Sequence, residues 1–563
     1  MNDKKKFKRV LVANRGEIAI RIFRACKELG IRTIAIYSEE DKNALFRTKA
    51  DEAYEIGEGK SPIDVYLDIP GIIELAKSKG ADAIHPGYGF LSENPDFAQA
   101  CEDAGIEFIG PTHDMMNSLG DKIQSKLVAE SVGVPTIPGV DAAIRSEEEA
   151  VEFAEKAGYP VMLKAAAGGG GRGMRIVRTE EELIPQFRSA RSEAAKAFGN
   201  DDIFIEKYLE EPKHIEVQVL GDKYGNVVHL YDRDCSVQRR HQKVIEFTPA
   251  LCITDEQRKS VCEDALKIAR AVNYRSAGTV EFLFDKEGNH YFIEMNTRVQ
   301  VEHTVTELVT GVDIVQDTIL IAEGYALDSD KIGIKSQSDI PLNGYAIQCR
   351  VTTEDPANNF APDTGTISMY RSAGGFGIRL DGGNGFTGSV ISPYYDSLLV
   401  KVCSHARTFD DTINKAMRAL REMKIEGVKT NIGFLLNVLN HPEFREGKCN
   451  TGFIADNPDL MNIRKVTNRE VQLLDFLGNK IVNETHGERK DFNVPVVPKV
   501  DTDKIGTLHG TKQLFEEKGA KAVADWALDQ KKLLLTDTSL RDAHQSLFAT
   551  RVRTKDMEKI APA

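Results

Sequence analysis

The stretch TVEFLFDKEGNHYFIEMNTRVQVEH, Thr279 to His303, crowds acids, amides and a cation into one short span. Two strand-like runs flank a turn, and a hairpin centred on Glu287 and Gly288 sets Glu281 opposite Glu294. Like charges placed directly opposite destabilise a sheet. A divalent cation between them reverses the sign, and carboxylates with an amide oxygen suit Mg2+ (or Mn2+) carrying nucleotide phosphates. Asn296 is the candidate amide. If the alternation continues, Glu294, Asn296, Arg298, Gln300 and Glu302 share one face, and Met295, Thr297, Val299 and Val301 share the other. That polar face reads as a reaction surface; a solvated sheet face with internal ion pairs is the alternative.

Upstream, YPVMLKAAAGGGGRGMRIV carries Gly168, Gly169, Gly170 and Gly171 between two strand-like runs. A P-loop instead opens a helix and carries GK[ST], which is missing. Consecutive glycines let backbone N–H groups approach phosphate oxygens, and Lys164 and Arg172 would add positive charge. A plain hairpin tip is the competing reading. IFIEKYLEEPKHIEVQVLGD places Glu206 and Lys207 at a strand end, where backbone groups can meet a flat ring such as adenine, although on these residues alone a plain strand-loop-strand is the favoured reading. RDCSVQRRHQK packs Arg239, Arg240, His241 and Lys243 together, which in an acidic chain suggests a bound phosphate or bicarbonate. Pairing with surface acids would explain the same loop.

These residues need a scaffold, and 563 residues exceed one hydrophobic core, so several domains are expected. The net charge of -13 argues against nucleic-acid and anionic-membrane partners. No apolar run approaches the ~18 residues of a membrane span, and 8 scattered cysteines without a CxxC pair suit reduced thiols, predicting a cytoplasmic protein. KRVLVANRGEIAIRIFRACKELGIRTIAIYS reads as strand, helix, strand, with Ile18, Ile22, Cys26 and Leu29 on one helical face. Residues 1–120 are therefore predicted to form an open parallel α/β sheet, without the GxGxxG of dinucleotide binding. Helices and antiparallel strands follow, then a β-rich unit to about Asp456, then a linker-like stretch with a short helix. The tail LLLTDTSLRDAHQSLFATRVRT reads as a strand at Leu533–Leu535 running into a polar turn, the opening of another domain.

Taken in order, the glycine loop, the paired acids and the basic loop resemble the ATP-grasp ligases. VLVANRGEIAIRIFRACKELG, AIHPGYGFLSEN, EKYLEEPKHIEVQVL, RDCSVQRRHQK and FIEMNTRVQVEH resemble biotin carboxylase from Lys8 to Asp456. HGTKQLFEEKGAKAVADWALDQKK and the tail resemble the pyruvate carboxylase family where it enters its carboxyltransferase barrel. The resemblance implies an α/β and α+β multidomain chain: an N-terminal domain over 1–120 and an ATP-grasp domain over 121–335 with a lid at 140–210. A C-terminal domain over 336–456, an allosteric-type region over 457–531 and a truncated (β/α)8 barrel start over 532–563 would follow.

It also implies ATP around Lys122, Lys164, the four glycines, Glu206, Lys207, Leu209, His214, Gln238 and His241, with metal on Glu281, Glu294 and Asn296. Lys243, Arg298, Gln300 and the Val301 backbone would hold bicarbonate, and Glu302 would take its proton. Arg350 would stabilise the biotin enolate, with Tyr88 and Asp396 nearby. Asp542 would be one ligand of a carboxyltransferase metal, with Arg541 and Gln545 facing the substrate. KAAAGGGG lacks a serine and a glycine of the KASGGGGG form seen in some members. The implied activity is ATP- and bicarbonate-dependent carboxylation of biotin, here lacking the carrier domain and its Ala-Met-Lys-Met string, in a homo-oligomer with a biotin carboxylase dimer, tetrameric at full length. Acetyl-CoA is a candidate activator. The alternatives are the biotin carboxylase component of an acyl-CoA carboxylase, or a catalytically silent ATP-binding module.

Overall fold

In the computed structural model, residues 5–120, 122–140, 143–144, 146–165, 174–198, 201–463, 469–483, 499, 503, 509–547 and 552–561 are described. The chain divides into two compact units, Met1–Arg464 and Lys465–Ala563.

The first unit opens with five short strands, of which the first, second and fourth are apolar and buried as parallel strands covered by helices are, while the two at the sheet edges carry acids and are less buried. These are β1 (Arg9–Val12), β2 (Arg32–Tyr37), β3 (Glu52–Glu55), β4 (Ala83–His85) and β5 (Glu107–Phe108), with α1 (Gly16–Glu28) after β1. They form one parallel sheet in the order β3-β2-β1-β4-β5. Strand order reverses between β1 and β4, the place where open α/β sheets leave a crevice beyond the strand ends. There Asn14 donates from Nδ2 to the carbonyls of Pro86 at 2.6 Å and Tyr88 at 2.8 Å, tying the two loops together. Gly87 has φ +67°, and a Cβ would lie 2.9 Å from Asn14 Nδ2, so glycine is required.

A small antiparallel sheet follows: β6 (Val161–Ala165), β7 (Met174–Val177) and β8 (Ile203–Lys207), ordered β7-β6-β8 and packed on α3 (Glu147–Ala157) and α4 (Glu180–Phe198), after α2 (Lys122–Ser131). Gly168 to Gly171 connect β6 and β7 and lie outside the described residues. The main sheet has eight antiparallel strands: β9 (Lys213–Gly221), β10 (Val227–Arg239), β11 (Gln242–Thr248), β12 (Ser276–Phe284), β13 (His290–Asn296), β14 (Tyr345–Thr352), β15 (Ile378–Gly382) and β16 (Leu398–Ala406). Their order is β13-β12-β9-β10-β11-β14-β16-β15, so the sheet runs unbroken across residue 335.

Alternation along β10 shows how the two faces differ. Asp232 meets Arg258 of α5 (Asp255–Ala271) at 2.7 Å, while its neighbour Arg233 meets Thr306 of α6 (His303–Thr310) at 2.9 Å from the opposite face. The α5 face is apolar, with Ile215, Val217, Val280 and Phe282 buried in one cluster. Towards the far edge, Ile347, Cys349 and Val402 pack beneath α8 (Phe409–Glu422). The α6 face carries buried polar groups. α7 (Ile314–Ala322) packs against α1 and β12.

The second unit holds α9 (Arg469–Gly478) and α10 (Thr511–Asp529), with the π-type turns Asn479–Asn483 and Ser539–Leu547 and a last short helix, Thr554–Ile560. Leu533–Leu535 form no strand, because no ladder partner exists among the described residues; all three are exposed. Asp542, Arg541 and Gln545 lie exposed in the 539–547 turn. No described helix is long and apolar enough to cross a membrane.

Asp317 of α7 is buried, and burial together with the charges of Asp313 and Glu307 pushes its carboxyl up to about 8. Arg21 pairs with those two neighbours, Glu307 Oε1 at 2.9 Å and Asp313 Oδ1 at 2.6 Å. The native state thus holds a proton that the unfolded chain releases near pH 4, and stability falls as pH rises from there towards 8. Asp317→Asn, which mimics the protonated acid, is expected to stabilise by roughly 2 to 5 kcal/mol at pH 8 and by little at pH 4. Urea denaturation at the two pH values checks this.

Candidate active site

The polar face of the main sheet carries a row of charge set by register. Glu294 opposes Glu281, Glu281 opposes Glu216, and Glu216 opposes Arg233. Glu281 thus faces Glu294 as read from the sequence, but by another route: Phe284 faces His290 and Phe282 faces Phe292, which centres the turn on Glu287 alone, and a register shift between Phe282 and Glu281 brings the two acids opposite. Carboxylates on adjacent strands would repel one another if left alone, and the cations decide the outcome. Arg233, fully buried, donates from Nε to Glu216 Oε1 at 2.5 Å and from Nη1 to Gln218 at 2.7 Å.

The second cation is Lys243, which β11 sends into this face. Its Nζ lies 2.5 Å from Glu216 Oε2, 2.9 Å from Glu281 Oε1, 2.8 Å from Glu302 Oε1 and 3.3 Å from Gln300 Oε1. Burial alone would lower the Lys243 pKa, but Glu216, Glu302 and Glu281 hold it well above the usual lysine value. Arg350 of β14 completes the cluster, donating from Nε to Glu246 Oε1 at 2.5 Å and from Nη2 to Glu302 Oε2 at 3.0 Å. Glu302 is 1 % exposed; burial pushes its carboxyl up, yet Lys243, Arg350 and Arg233 overcome this and hold it well below the carboxylate range. Glu281 is likewise held low, burial being outweighed by Lys243 and His214.

Other expected residues join this centre at its margin. His214 Nε2 lies 2.9 Å from Glu281 Oε2, and its Nδ1 lies 2.9 Å from Gln238 Nε2. Asn296 donates to Glu281 Oε1 at 2.9 Å and accepts from Arg298 Nη2 at 2.9 Å. Gln300 donates to the same Glu281 oxygen at 3.1 Å. The Val301 carbonyl accepts from the fully buried Lys401 at 3.0 Å, and Lys401 also pairs with Glu17 at 2.9 Å. Tyr88 donates its hydroxyl to Glu17, and the charges of Arg350 and Asp396 both act on it. Asp396 is exposed and accepts from Leu398 N at 2.7 Å.

The remaining candidates are not drawn into the cluster. Lys164 and Glu206 pair with each other on the three-stranded sheet, Lys207 donates to the carbonyls of Gly158 at 2.9 Å and Tyr159 at 3.0 Å, and Leu209 is buried. Lys122 begins α2, but its side chain lies outside the described residues. His241 stands exposed in the β10–β11 turn at φ +64°, beside Arg240 at +49°. The basic loop therefore splits: Arg239 packs over Phe360 at 4.0 Å and bonds Asn359, while Lys243 turns inward.

One expectation fails in form. β13 ends at Asn296; residues 297–300 are irregular, residues 301 and 302 form a turn, and Glu302 stands just before α6 without capping it through its side chain. Period two therefore does not carry Glu302 to the site; the turn does, because entry into α6 reverses the backbone. Sequence reading also missed Glu216, Arg233, Glu246, Glu17 and Lys401. A signal existed for two of them: His214, Glu216 and Gln218 alternate in HIEVQ, and Glu246 faces Gln348 across β11 and β14.

As for a metal, the donor atoms of His214, Glu216 and Glu281 lie within 4.8 Å of one another, but Lys243 Nζ already sits against both acids. The facing carboxylates of Glu281 and Glu294 are hard oxygen donors of the kind Mg2+ takes, and Glu281 would have to give up Lys243 to serve as one.

The family model for the biotin carboxylase N-terminal domain matches residues 6–116, that for the carbamoyl-phosphate synthase L chain ATP-binding domain 121–330, and that for the biotin carboxylase C-terminal domain 348–456. The biotin carboxylase domain dimer of Hydrogenobacter thermophilus 2-oxoglutarate carboxylase, solved with MgADP, ADP and bicarbonate, is 52% identical with TM-score 0.74, the match covering 82% of this chain and 99% of that one. The chain belongs to the biotin carboxylase family. A biotin carboxylase subunit of pyruvate carboxylase is 51% identical with TM-score 0.74, over 82% of this chain and 100% of that one. Pyruvate carboxylase of Bacillus subtilis is 56% identical over 98% of this chain and 48% of its own length, and the mitochondrial enzyme of Homo sapiens is 53% identical over 99% and 47%. The chain thus spans about half the length of the curated relatives it matches.

Within this biotin carboxylase fold, Lys243→Met leaves Glu216, Glu281 and Glu302 without their shared partner. We expect a loss of about 3 to 5 kcal/mol at pH 7. The loss should shrink towards pH 4, since Glu281 and Glu302, without Lys243, are held less low and regain protons earlier as pH falls. Denaturation midpoints across that pH range measure it.

Proposed function

We propose that the chain catalyses ATP- and bicarbonate-dependent carboxylation of biotin, the first half-reaction of a pyruvate carboxylase. The observation that carries this reading is the Glu302 carboxylate held between Lys243 and Arg350. Bicarbonate is a poor electrophile, and transfer of the ATP γ-phosphoryl group to its oxygen releases ADP and forms carboxyphosphate. Glu302 takes the bicarbonate proton. As described, the base is weakened by three cations. An anion that draws Lys243 and Arg298 towards itself relieves part of that attraction, so the carboxylate gains basicity only when bicarbonate is present. Carboxyphosphate then breaks to CO2 and phosphate; the released phosphate takes the N1 proton of biotin, negative charge develops on the ureido oxygen, and N1 attacks CO2. Arg350 supplies a permanent positive charge for that oxygen, with Tyr88 beside it.

Glu281, Glu294 and Asn296 would hold Mg2+, which spreads the charge of the transferring phosphoryl group when bound. His214, Gln238, Lys164, Glu206, Lys207, Leu209 and His241 are the residues proposed for the nucleotide, with Lys122 and the glycine loop. Pyruvate is the proposed acceptor in the whole protein, since pyruvate carboxylases are 53% to 56% identical over 98% to 99% of this chain, beyond the biotin carboxylase part. The same relatives support residues 532–563 as part of a carboxyltransferase domain carrying Asp542, a self-associating biotin carboxylase part, and a cytoplasmic or organellar setting. A solved Rhizobium etli pyruvate carboxylase with acetyl coenzyme A, 50% identical with TM-score 0.75 over 99% of this chain, supports an acetyl-CoA response.

ATP hydrolysis by the purified chain should depend on bicarbonate and rise with free biotin; folded protein that ignores biotin would overturn the reading. Glu302→Gln should lower turnover ~10^2 to 10^4-fold while ATP affinity stays within about threefold. Glu281→Gln and Glu294→Gln should instead raise the KM for Mg-ATP. Equal loss of nucleotide affinity in all three variants would remove the division between base and metal ligands.

A further inference from the structure

The loop after β4, HPGYGFLSEN, touches the site at two points, and only Tyr88 has a part in the reaction proposed above. The other point is Glu93. Its Oε1 accepts from the Thr297 backbone N–H at 3.1 Å, and its Oε2 accepts from Arg298 Nε at 2.8 Å. One carboxylate thus grips both the backbone and the side chain of the irregular segment that follows β13. Arg298 Nη2 is turned onto Asn296 Oδ1 at 2.9 Å, and Nη1 has no protein partner among the described residues. A guanidinium clamped through Nε has lost the torsional freedom of its long stem, and its remaining N–H groups point in a set direction.

Glu93 is itself held from both sides. Ser92 N donates to Gly89 O at 3.0 Å, Asn94 N donates to Leu91 O at 3.2 Å, and Asn94 Oδ1 caps the next helix through Phe97 N at 2.9 Å. Phe90 adopts φ +45°, an unfavourable backbone for a bulky residue, and stacks on Tyr66 at 5.0 Å. The loop is therefore a shaped brace reaching from the parallel sheet to the main sheet.

We propose that Glu93 is a positioning residue for Arg298, presenting its guanidinium to bicarbonate, an inference that rests on the proposed biotin carboxylase reading. The test measures bicarbonate-dependent ATP hydrolysis in the whole chain for wild type, Glu93→Gln, Glu93→Ala, Arg298→Ala and the Glu93→Gln/Arg298→Ala double variant. Glu93→Gln should raise the KM for bicarbonate roughly tenfold, the scale of one hydrogen bond between charged groups. Glu93→Ala should raise it further, because the Thr297 contact also goes, while the KM for ATP stays within about twofold in both. In the Arg298→Ala background, Glu93→Gln should add nothing, the signature of a residue that acts through another. A bicarbonate KM unchanged by Glu93→Gln, equal changes in both KM values, or additive effects in the double variant would each overturn the assignment. Should wild type itself show no bicarbonate dependence, the functional reading fails first and this assignment falls with it. Thermal midpoints matching wild type exclude misfolding as the cause of a raised KM, and a collapsed midpoint in Glu93→Gln would make the role structural instead.

Discussion

The interior of this protein holds an ammonium group that water would bind strongly. Moving such a charge out of water costs several kcal/mol, and only close partners of opposite sign offset it. Lys243 finds three of them, each from a different part of the chain: Glu216 on β9, Glu281 on β12 and Glu302 at the start of α6. Those acids need further cations, which Arg233 and Arg350 provide, and Arg350 brings in Glu246. The strand order, the register and the turn before α6 all serve this one balance. Four carboxylates against three cations leave the cluster slightly negative, so a bound anion must bring further positive charge with it. Arg298, at the margin of the cluster, is suited to that need.

The parallel sheet contributes through its loops. Reversal of strand order between β1 and β4 opens the crevice, and Asn14 ties the two loops so that Tyr88 reaches Glu17. Lys401 joins Glu17 to the Val301 carbonyl, linking that loop to the peptide immediately before Glu302. A shift of the parallel sheet would therefore be felt at the centre through a buried ion pair.

The sequence makes the pairing of Glu281 with Glu294 legible because a short hairpin has few possible registers, although it hides the register shift beside Glu281 that sets the two acids opposite. The polar face beyond Asn296 was less so: alternation holds only while the backbone stays extended, and nothing in TRVQVEH announces that Val301 and Glu302 turn into a helix. Arg233 gave no signal, since its neighbours Asp232 and Asp234 make it look like part of a solvated charge run, whereas all three are buried on opposite faces of one strand. Lys243 read as part of an anion-binding loop. Its role as the common partner of three acids depends on strands far apart in the chain, which no local pattern encodes. The parallel sheet of the first 120 residues and the hairpin of β6 and β7 did follow from local signals, the first from apolar strand and helix alternation and the second from glycines between short strands, but the strand order and the acidic edge strand β3 did not.

The unbroken pairing of β11 with β14 has a consequence for how this molecule comes apart. Cutting the chain near residue 335 separates two stretches that each look self-sufficient in sequence, yet it would leave two bare, hydrogen-bond-hungry edges where one ladder now runs. Arg350 would leave with one fragment and Glu302 with the other, stranding a buried charge on each side. Residues 121–335 and 336–456 should therefore melt as one cooperative block, and a circular permutant opened elsewhere on the surface would tolerate the break better than one opened between these strands.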